Sequence, residues 1–591
     1  MTSRRRVAGG SPSNAAAALV QQGLKHHQAG DAEAAASLYN QALAVDAMHA
    51  EANHLLGVVR LGQQRLDEAL SLLAKAVSCD GKNPQYLANM GVALNAAGRY
   101  EAAVVALDRA IENRPDFAEA YSNRGIAYRA LGRFDDAVHS YEQAIRLKPV
   151  EAGFYFNLAN ALEEAGRPHE ALTALDMALS IKPLHAGALA AKVRLLQELR
   201  RFDEASEMAE AAVSRAPNSP EVRASLASIL RRMGRLNEAM QEYRRVIELK
   251  PTSGIAHYNL SYGVVHERRD ADFDAMESVF RNEALSLEDR APAGFALGKA
   301  LADIGEHQQS HDVYLEANTL RRQSRPYSLS DALHQMDRIL NDFANVPQPL
   351  VGAGYMDATP TFVVGLPRAG KSTVEGILAK SPSAWAGGEL GQLRRVVLEL
   401  GVDPGTRGLS AVGKQSLARL TPHDLYEGGR KYADYVNSIG PAGRMVIDTM
   451  PTNFFLIGYI RLMLPNARII HPVRDPLDHA VALFEKCFAR PVYGYTYRLE
   501  DLVAYYSAYR RMMAFWEAQA PGQILTVQVP ELRADASAVR HLYDFCGLDW
   551  HDGAELVAES EPELGARAPA ATRADRLQHL ECYRGELAKL L

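Results

Sequence analysis

A short segment in the second half of the chain carries the side chains best suited to bind an anion. It reads Gly-Leu-Pro-Arg-Ala-Gly-Lys-Ser-Thr over residues 365–373, and a β-branched and aromatic run, residues 361–364, precedes it. A strand, a tight loop and a helix in this order aim backbone N–H groups and the positive end of the helix at the loop. The predicted occupant is a phosphate or a sulfate. The side chains that can hold it are Arg368, Lys371, Ser372 and Thr373.

The same segment fits the Walker A spacing. Four residues separate Gly365 from Gly370, and Lys371 and Ser372 follow directly. Two reaction classes are therefore open: transfer of a sulfonyl group, and chemistry on a nucleoside triphosphate. In the second class Lys371 would bind phosphate and Ser372 would hold magnesium. Asp448, which follows a Met-Val-Ile run, would then act as a Walker B-like carboxylate.

Short apolar runs that alternate with helical segments surround this loop. The runs are residues 361–364, 444–448, 467–472 and 523–529. Strands that alternate with helices predict a parallel, doubly wound sheet, whose ligand lies beyond the carboxyl ends of the strands. Three candidate functional positions lie at such strand ends: the 365–373 loop, Asp448 and Arg474.

The first half of the chain repeats with a period of 34 residues. Glycine marks the first four units, at Gly23, Gly57, Gly91 and Gly125. Alanine stands twelve residues after this position in all seven units, from Ala35 to Ala239. Small residues let two antiparallel helices approach closely, and a proline after the second helix of the later units ends that helix. The pattern resembles the tetratricopeptide repeat family over residues 16–253, with about two weaker units over 254–322. Such arrays commonly bind a peptide or a partner protein, and a passive spacer or dimerisation arm is the alternative.

Four motifs in a fixed order resemble bacterial tetratricopeptide-repeat sulfotransferases, whose catalytic half is similar to that of tyrosylprotein sulfotransferases. The motifs are the loop segment that ends at Thr373, Gly-Gly-Glu-Leu around Glu389, Asp-Thr-Met-Pro from Asp448, and Leu-Pro-Asn-Ala-Arg-Ile-Ile-His-Pro-Val-Arg-Asp-Pro-Leu-Asp, which ends at Asp478. The last motif is the most specific, because a generic nucleotide kinase has no reason to carry it.

The resemblance implies a fold and a reaction. The fold would be an all-α superhelix followed by a P-loop-like, doubly wound parallel α/β domain. The reaction would move a sulfonyl group from 3′-phosphoadenosine 5′-phosphosulfate to an acceptor hydroxyl, which a protein tyrosine or a saccharide could supply. No metal is expected, because cationic side chains and backbone dipoles can stabilise the departing phosphate.

The resemblance also implies roles for individual residues. The loop from Pro367 to Thr373 would cradle the 5′-phosphosulfate, with Arg368 on the oxygens of the group in transfer. Arg474 would contact the 3′-phosphate. Glu389 would be the general base, provided that burial raises its pKa; the alternative is that this carboxylate simply begins a helix.

Four positions depart from the family pattern: Ala369 stands in place of a serine, Lys371 in place of a threonine, Thr449 in place of a lysine, and Ala482 in place of a serine. Ala482 stands where a serine normally helps to bind the 3′-phosphate, and Arg567 and Arg573 are candidate replacements near the C-terminus. The departures leave three hypotheses open. They are a sulfotransferase with an adjusted donor site, a P-loop kinase or NTPase, and a catalytically silent relative whose repeats act as a scaffold.

Composition limits the class of protein. The 591 residues are 47% hydrophobic and 23% charged, with a net charge of −6, so the chain lacks the basic excess of a nucleic-acid binder. Four scattered cysteines favour a reducing compartment, and no run of about 20 apolar residues predicts a membrane span. We therefore expect a cytoplasmic protein. The expected layout is a disordered segment over residues 1–14, the array over 15–322, a helical connector and linker over 323–359, and the α/β domain over 360–591.

Overall fold

The computed structural model describes residues 12–199, 201–346, 350–401, 417–551, 553 and 573–588. They form two compact units, one ending at Ala191 and the other beginning at Lys192. In these ranges no helix is both long and apolar enough to cross a membrane. Helix α1 (Pro12–Gln28) begins inside the segment predicted to be disordered. A proline in the first helical turn and four alanines soon after it favour this early start.

The repeat array consists of pairs of helices. In the described residues that precede the sheet, the helices are α1 Pro12–Gln28, α2 Ala32–Val45, α3 Ala50–Gly62, α4 Leu66–Cys79, α5 Pro84–Ala96, α6 Tyr100–Asn113, α7 Ala118–Ala130, α8 Phe134–Leu147, α9 Ala152–Glu164, α10 Pro168–Ile181, α11 Ala186–Glu198, α12 Phe202–Arg215, α13 Pro220–Arg232, α14 Leu236–Leu249, α15 Gly254–Ser261, α16 Ala271–Arg281, α17 Leu287–Asp303, α18 His307–Ser324 and α19 Leu329–Ala344. From α3 to α15 the odd-numbered helices begin 34 residues apart, and from α2 to α14 so do the even-numbered ones. The predicted repeat fold is confirmed.

A glycine lies where the two helices of a repeat touch. A Cβ added to Gly91 would lie 2.5 Å from Leu107 Cγ, sixteen residues later on the second helix. A Cβ added to Gly298 would likewise lie 3.0 Å from the ring of Tyr314, again sixteen residues later. Helices α17 and α18 therefore keep the contact of a repeat although the sequence period has faded there.

Five strands form one parallel sheet within the described residues. They are β1 Thr361–Val363, β2 Ala384–Gly388, β3 Met445–Asp448, β4 Arg468–Val473 and β5 Ile524–Gln528, in the order β2-β3-β1-β4-β5. The accompanying helices are α20 Lys371–Leu378, α21 Gln392–Glu399, α22 Pro422–Ile439, α23 Ile457–Met463, α24 Pro476–Phe484, α25 Leu499–Gln519, α26 Val529–Ala534, α27 Ala536–Cys546 and α28 Arg573–Leu587, with 3₁₀ turns at Leu417–Arg419, Pro451–Leu456 and Pro491–Tyr497. Phe362 and Ile469 pack into one core cluster and Val363 and Ile470 into another, so both faces of the sheet are covered, as predicted.

Strand β2 is the strand that the sequence did not predict. Its residues, Ala-Trp-Ala-Gly-Gly, have low β propensity apart from the tryptophan. It nevertheless pairs with β3 at the edge of the sheet. The strand matters for the site because Glu389 follows its last residue and so stands at the carboxyl end of a strand.

The last helices of the array share a hydrophobic core with the sheet-bearing part of the chain. Met336, Ile339 and Phe343 lie on one face of α19, and all are buried. The Phe343 ring lies 4.9 Å from Tyr459 and 5.3 Å from Trp516, measured between ring centroids. One cluster of buried residues runs from α15 through α19 to the helices that cover the sheet. The border expected at residue 359, between the linker and the α/β domain, falls inside this core.

Candidate functional site

The loop between β1 and α20 has the backbone of an anion cradle. Gly365, Arg368 and Gly370 take positive φ angles of 147°, 64° and 95°. A non-glycine residue in this region stores strain, and such strain is typical of ligand-binding loops. Gly370 must also lack a side chain, since an added Cβ would lie 2.6 Å from Val529 Cγ2. The loop therefore has a fixed shape and leads directly into the N-terminus of α20.

Lys371 is buried and directed at the loop itself. Its Nζ donates to the Leu366 carbonyl at 3.0 Å and lies 3.4 Å from the Gly365 carbonyl. An ammonium group in this place adds positive charge beneath the cradle. Among the other predicted loop residues, Pro367 and Ala369 are buried, Arg368 and Thr373 are half-buried, and Ser372 is exposed.

A buried histidine holds the loop from behind. His479, on α24, places Nε2 2.8 Å from the Pro367 carbonyl and Nδ1 3.1 Å from the Tyr506 hydroxyl. Because a carbonyl can only accept, Nε2 carries the proton and Nδ1 accepts from Tyr506. Burial lowers the pKa of His479 to about 3, which keeps the ring neutral. The histidine supports the loop and is not placed as a general base.

A second aromatic hydroxyl braces the start of the loop. The Tyr509 hydroxyl lies 2.7 Å from His471 Nε2, and a Cβ added to Gly365 would lie 3.3 Å from the same oxygen. Tyr506 and Tyr509 both belong to α25, so one helix supports two points of the loop.

Arg474 follows β4 and joins the loop to the C-terminal helix. Its Nη1 donates to the Arg368 carbonyl at 3.2 Å, and its Nη2 donates to the Asp478 carboxylate. Arg576, on α28, donates to the other oxygen of Asp478. Burial would raise the pKa of Asp478, but the two guanidinium groups outweigh burial and hold that pKa below its usual value. The neighbouring Asp475 caps α24.

Asp448 ends β3 and is fully buried. Its Oδ2 accepts from the Tyr432 hydroxyl and its Oδ1 from the Met450 N–H, each at 3.0 Å. Burial raises the pKa of Asp448 to about 7, against the opposing effect of these hydrogen bonds. The Thr449 N–H donates to the Gly388 carbonyl at 2.8 Å, so the end of β3 also fixes the turn that carries Glu389.

Glu389 stands on the turn after β2 with an exposed side chain. Its role as a base was expected on the condition that the side chain is buried. This burial is absent, because the turn lies at the edge of the sheet. The turn itself is held in place, since Glu375 Oε1 on α20 accepts from the Gly388 N–H at 2.8 Å. Burial raises the pKa of Tyr493 to about 12, and the Glu389 carboxylate adds to this effect. The helix that Glu389 was alternatively expected to begin starts only at Gln392.

Some predicted residues lie beyond this site, and others join it without having been predicted. Arg567 lies outside the described residues, and Arg573 is the first residue of α28, with a side chain of which nothing is described. Arg533, after β5, donates to Thr373 Oγ1 at 3.3 Å. Arg576 was missed because its partner Asp478 is distant in sequence. Arg533 could have been found, since it follows the carboxyl end of a strand. In the ranges described, no three His, Cys, Asp or Glu side chains are grouped to hold a metal ion.

The fold and the site define a class of protein: a helical repeat array that continues into a parallel α/β unit with a cradle-shaped loop after its central strand. A sulfotransferase family model matches residues 360–552. Tetratricopeptide repeat models match residues 20–84, 93–132, 122–186, 162–229 and 196–261. The chain is a tetratricopeptide-repeat protein with a domain of the sulfotransferase family, as its motifs predicted.

Individual proteins give more limited likenesses. An uncharacterized protein of Aquifex aeolicus (strain VF5) is 26% identical over 318 residues, which cover 52% of this chain and 41% of that relative. The crystal structure of MamA is 28% identical, covers 27% of this chain and 94% of its own, and has a TM-score of 0.26. The structure of YrrB, titled a TPR protein with an unusual peptide-binding site, is 25% identical. It covers 29% of this chain and 90% of its own, and has a TM-score of 0.27.

Proposed function

We propose that this protein is a sulfotransferase that moves a sulfonyl group from 3′-phosphoadenosine 5′-phosphosulfate to an acceptor hydroxyl. The observation that carries the proposal is a pair of cationic sites at neighbouring strand ends, inside the segment that matches the sulfotransferase family. The loop after β1 holds Arg368 and Lys371, and Arg474 after the adjacent β4 reaches the Arg368 carbonyl. A nucleotide with anionic groups at both its 5′ and 3′ positions needs two such sites side by side.

The residues divide the work of the transfer. The acceptor oxygen forms a bond to sulfur while the bond from sulfur to the bridging oxygen breaks, and 3′-phosphoadenosine 5′-phosphate leaves. Arg368 suits the charge-dispersed sulfonyl oxygens, because a guanidinium is planar and donates in parallel. Lys371 and the loop N–H groups stabilise the charge that develops on the departing phosphate. Glu389 lacks the burial expected of a base, but its carboxylate stands on an exposed turn that an acceptor hydroxyl can reach, and on that ground we assign it the acceptor proton.

The surroundings of Asp448 disfavour the kinase or NTPase alternative. A carboxylate that holds magnesium must be ionised and open to the cation. Both oxygens of Asp448 already accept hydrogen bonds, from Tyr432 and Met450, and burial raises its pKa to about 7. Near neutral pH this carboxyl group is therefore enclosed and only partly ionised, unlike the open carboxylate that a magnesium ion requires.

The repeats supply a surface on which a polypeptide acceptor or partner could bind. A cleft of about 600 Å³ lies across successive repeats and is lined by Asn89, Asn123, Arg114, Lys148 and Phe117, among others. Side-chain amides can pair with the N–H and C=O groups of an extended chain. We propose that this cleft recruits the acceptor. A protein tyrosine and a saccharide both remain open as that acceptor. The cytoplasmic location stays a prediction from the sequence.

Calorimetry on the full-length chain tests the donor. We expect 3′-phosphoadenosine 5′-phosphate to bind without a divalent cation and ATP with magnesium to bind much more weakly. Lys371→Thr, which introduces the residue usual in the family, should keep this preference, and Lys431→Thr is the matched control, because Lys431 pairs with Glu399 on the exposed surface. Binding of ATP with magnesium that Lys371→Thr abolishes would indicate a P-loop NTPase. Failure to bind either nucleotide would indicate a scaffold.

A further inference from the structure

The C-terminal helix α28 meets α24 at two carboxylates. Asp478 and Glu485 stand seven residues apart, which is about two helical turns, and therefore lie on one side of α24. Arg576 donates to Asp478, while His579 and the Tyr583 hydroxyl both donate to Glu485 Oε1, the hydroxyl at 3.0 Å. Three side chains of α28 thus bind two carboxylates of α24.

The docking of α28 does not depend on Arg576. His579, Tyr583 and Leu587 are all buried, and they anchor the helix. The Arg576 side chain is 53% exposed, and an ion pair with so exposed a member adds little to stability. Packing and stability therefore do not explain why an arginine stands at this position.

The carboxylate that Arg576 contacts also binds an arginine of the site. Arg474 donates to the other oxygen of Asp478, and its Nη1 donates to the Arg368 carbonyl at 3.2 Å. Direct contacts thus run from α28 through Asp478 and Arg474 to the 365–373 loop. Because both guanidinium groups bind one carboxylate, Arg576 and Arg474 lie close together.

The charges of these three groups decide how well an anion can bind beside them. Burial would raise the pKa of Asp478, but Arg474 and Arg576 hold it below its usual value, so the carboxyl stays ionised. Arg474 and Asp478 alone would form a neutral pair, which attracts an anion only weakly. Arg576 adds a second cation, and the three groups together keep one positive charge.

We propose that Arg576 is a specificity-determining residue, which restores the positive charge that Asp478 takes from Arg474 and so lets the site select nucleotides with a 3′-phosphate. This inference rests on the proposed function, in which Arg474 contacts the 3′-phosphate of the donor. A phosphate monoester carries up to two negative charges, so its binding is sensitive to the net charge of the groups around it. The C-terminal helix is then part of the donor site.

Calorimetry with two nucleotides on the full-length chain tests the proposal. Arg576→Gln removes the charge, and we expect the Kd for 3′-phosphoadenosine 5′-phosphate to rise about tenfold. The Kd for adenosine 5′-phosphate, which lacks the 3′-phosphate, should change less than twofold. Arg576→Lys keeps the charge and should stay within about threefold of the parent for both. Arg584→Gln is the matched control, because Arg584 lies on the same helix, is 52% exposed and pairs with Glu581.

A double variant separates charge from shape. Asp478→Asn combined with Arg576→Gln removes one anion and one cation, so the net charge returns to that of the parent. We expect this variant to bind 3′-phosphoadenosine 5′-phosphate within about threefold of the parent, and more tightly than Arg576→Gln alone.

Three results would overturn the inference while the parent still binds 3′-phosphoadenosine 5′-phosphate. They are an unchanged Kd in Arg576→Gln, equal losses for the two nucleotides, and a double variant that binds no more tightly than Arg576→Gln. A parent that binds neither nucleotide would overturn the proposed function and this inference together.

Discussion

Asp448 allows a test in which the sign of the effect follows from the structure. Burial raises the pKa of its carboxyl to about 7, from an ordinary value of 3.8. Between these values the folded state holds a proton that the unfolded chain has lost, so the free energy of unfolding falls as the pH rises. Asp448→Asn removes this titration and keeps the shape. Its amide oxygen can accept from the Met450 N–H, and its amide nitrogen can donate to the Tyr432 hydroxyl.

The size of the effect follows from linkage, at about 1.36 kcal/mol per pH unit. From pH 5 to pH 8 the parent should lose about 2–3 kcal/mol through Asp448, as an upper limit. The asparagine variant should lose nothing through this position. The difference in unfolding free energy between variant and parent should therefore move in favour of the variant by about that amount.

Tryptophan fluorescence can follow the relevant unit by itself. The three tryptophans of the chain, Trp385, Trp516 and Trp550, all lie in the unit that begins at Lys192. Urea titrations of the parent and Asp448→Asn at pH 5 and pH 8 give the two differences to compare. If Asp448 positions the Glu389 turn and holds no magnesium, the variant should also transfer sulfonyl groups at near the parent rate.

A matched control is available on α22. Asp434 is an exposed carboxylate paired with Arg430 at 2.8 Å, and Asp434→Asn should differ from the parent by less than about 0.5 kcal/mol at either pH. A difference for Asp448→Asn that stays constant between the two pH values, or that shifts in favour of the parent as the pH rises, would refute the assignment of a buried carboxyl that holds its proton.

Three further variants test the site and the cleft of the repeats. Glu389→Gln should keep donor-product affinity and lower kcat by about 10²–10⁴-fold, with loss of the acidic limb of the pH–rate profile; a folded variant with parent-like rates would remove Glu389 from the mechanism. His479→Leu leaves the Pro367 carbonyl without its donor, so urea unfolding should show a loss of about 1–3 kcal/mol and calorimetry a weaker donor-product affinity; unchanged affinity would mean that the loop keeps its shape without the histidine. Asn89→Ala combined with Asn123→Ala should raise KM for a polypeptide acceptor and leave a small acceptor unaffected; equal effects on both would count against recruitment by the cleft.

The parts of the structure that the sequence predicted depend on short-range patterns. The 34-residue period gave the helix pairs, because the glycine at Gly91 and its partner Leu107 lie within one unit. The loop over residues 365–373 was predictable for the same reason, since strand, loop and helix are consecutive in the chain. The ends of β3 and β4 followed from the rule that parallel strands present their carboxyl ends together.

The parts that escaped prediction depend on contacts between distant segments. Strand β2 owes its place to pairing with β3 rather than to the propensities of its own alanines and glycines. The partner of Arg474 is Asp478, about one helical turn further along the chain, and the sequence analysis did not identify it. Arg576 reaches that carboxylate from 98 residues away, and no periodicity in the sequence marks such a contact. The exposure of Glu389 likewise depends on the position of β2 at the edge of the sheet, which the sequence did not predict.

The shared core of helices α15 to α19 and the sheet has a consequence for how such proteins can be recombined. A gene fusion that took the sheet-bearing segment from residue 360 onward would leave behind Phe343, whose ring packs on Tyr459 and Trp516. The transplanted piece would then expose an apolar surface that no new neighbour was selected to cover. The portable unit must therefore include the last repeats, and a lineage that exchanges its earlier repeats must do so upstream of Gly254. Under the proposed function, recognition and catalysis would then diversify on either side of a border inside the array.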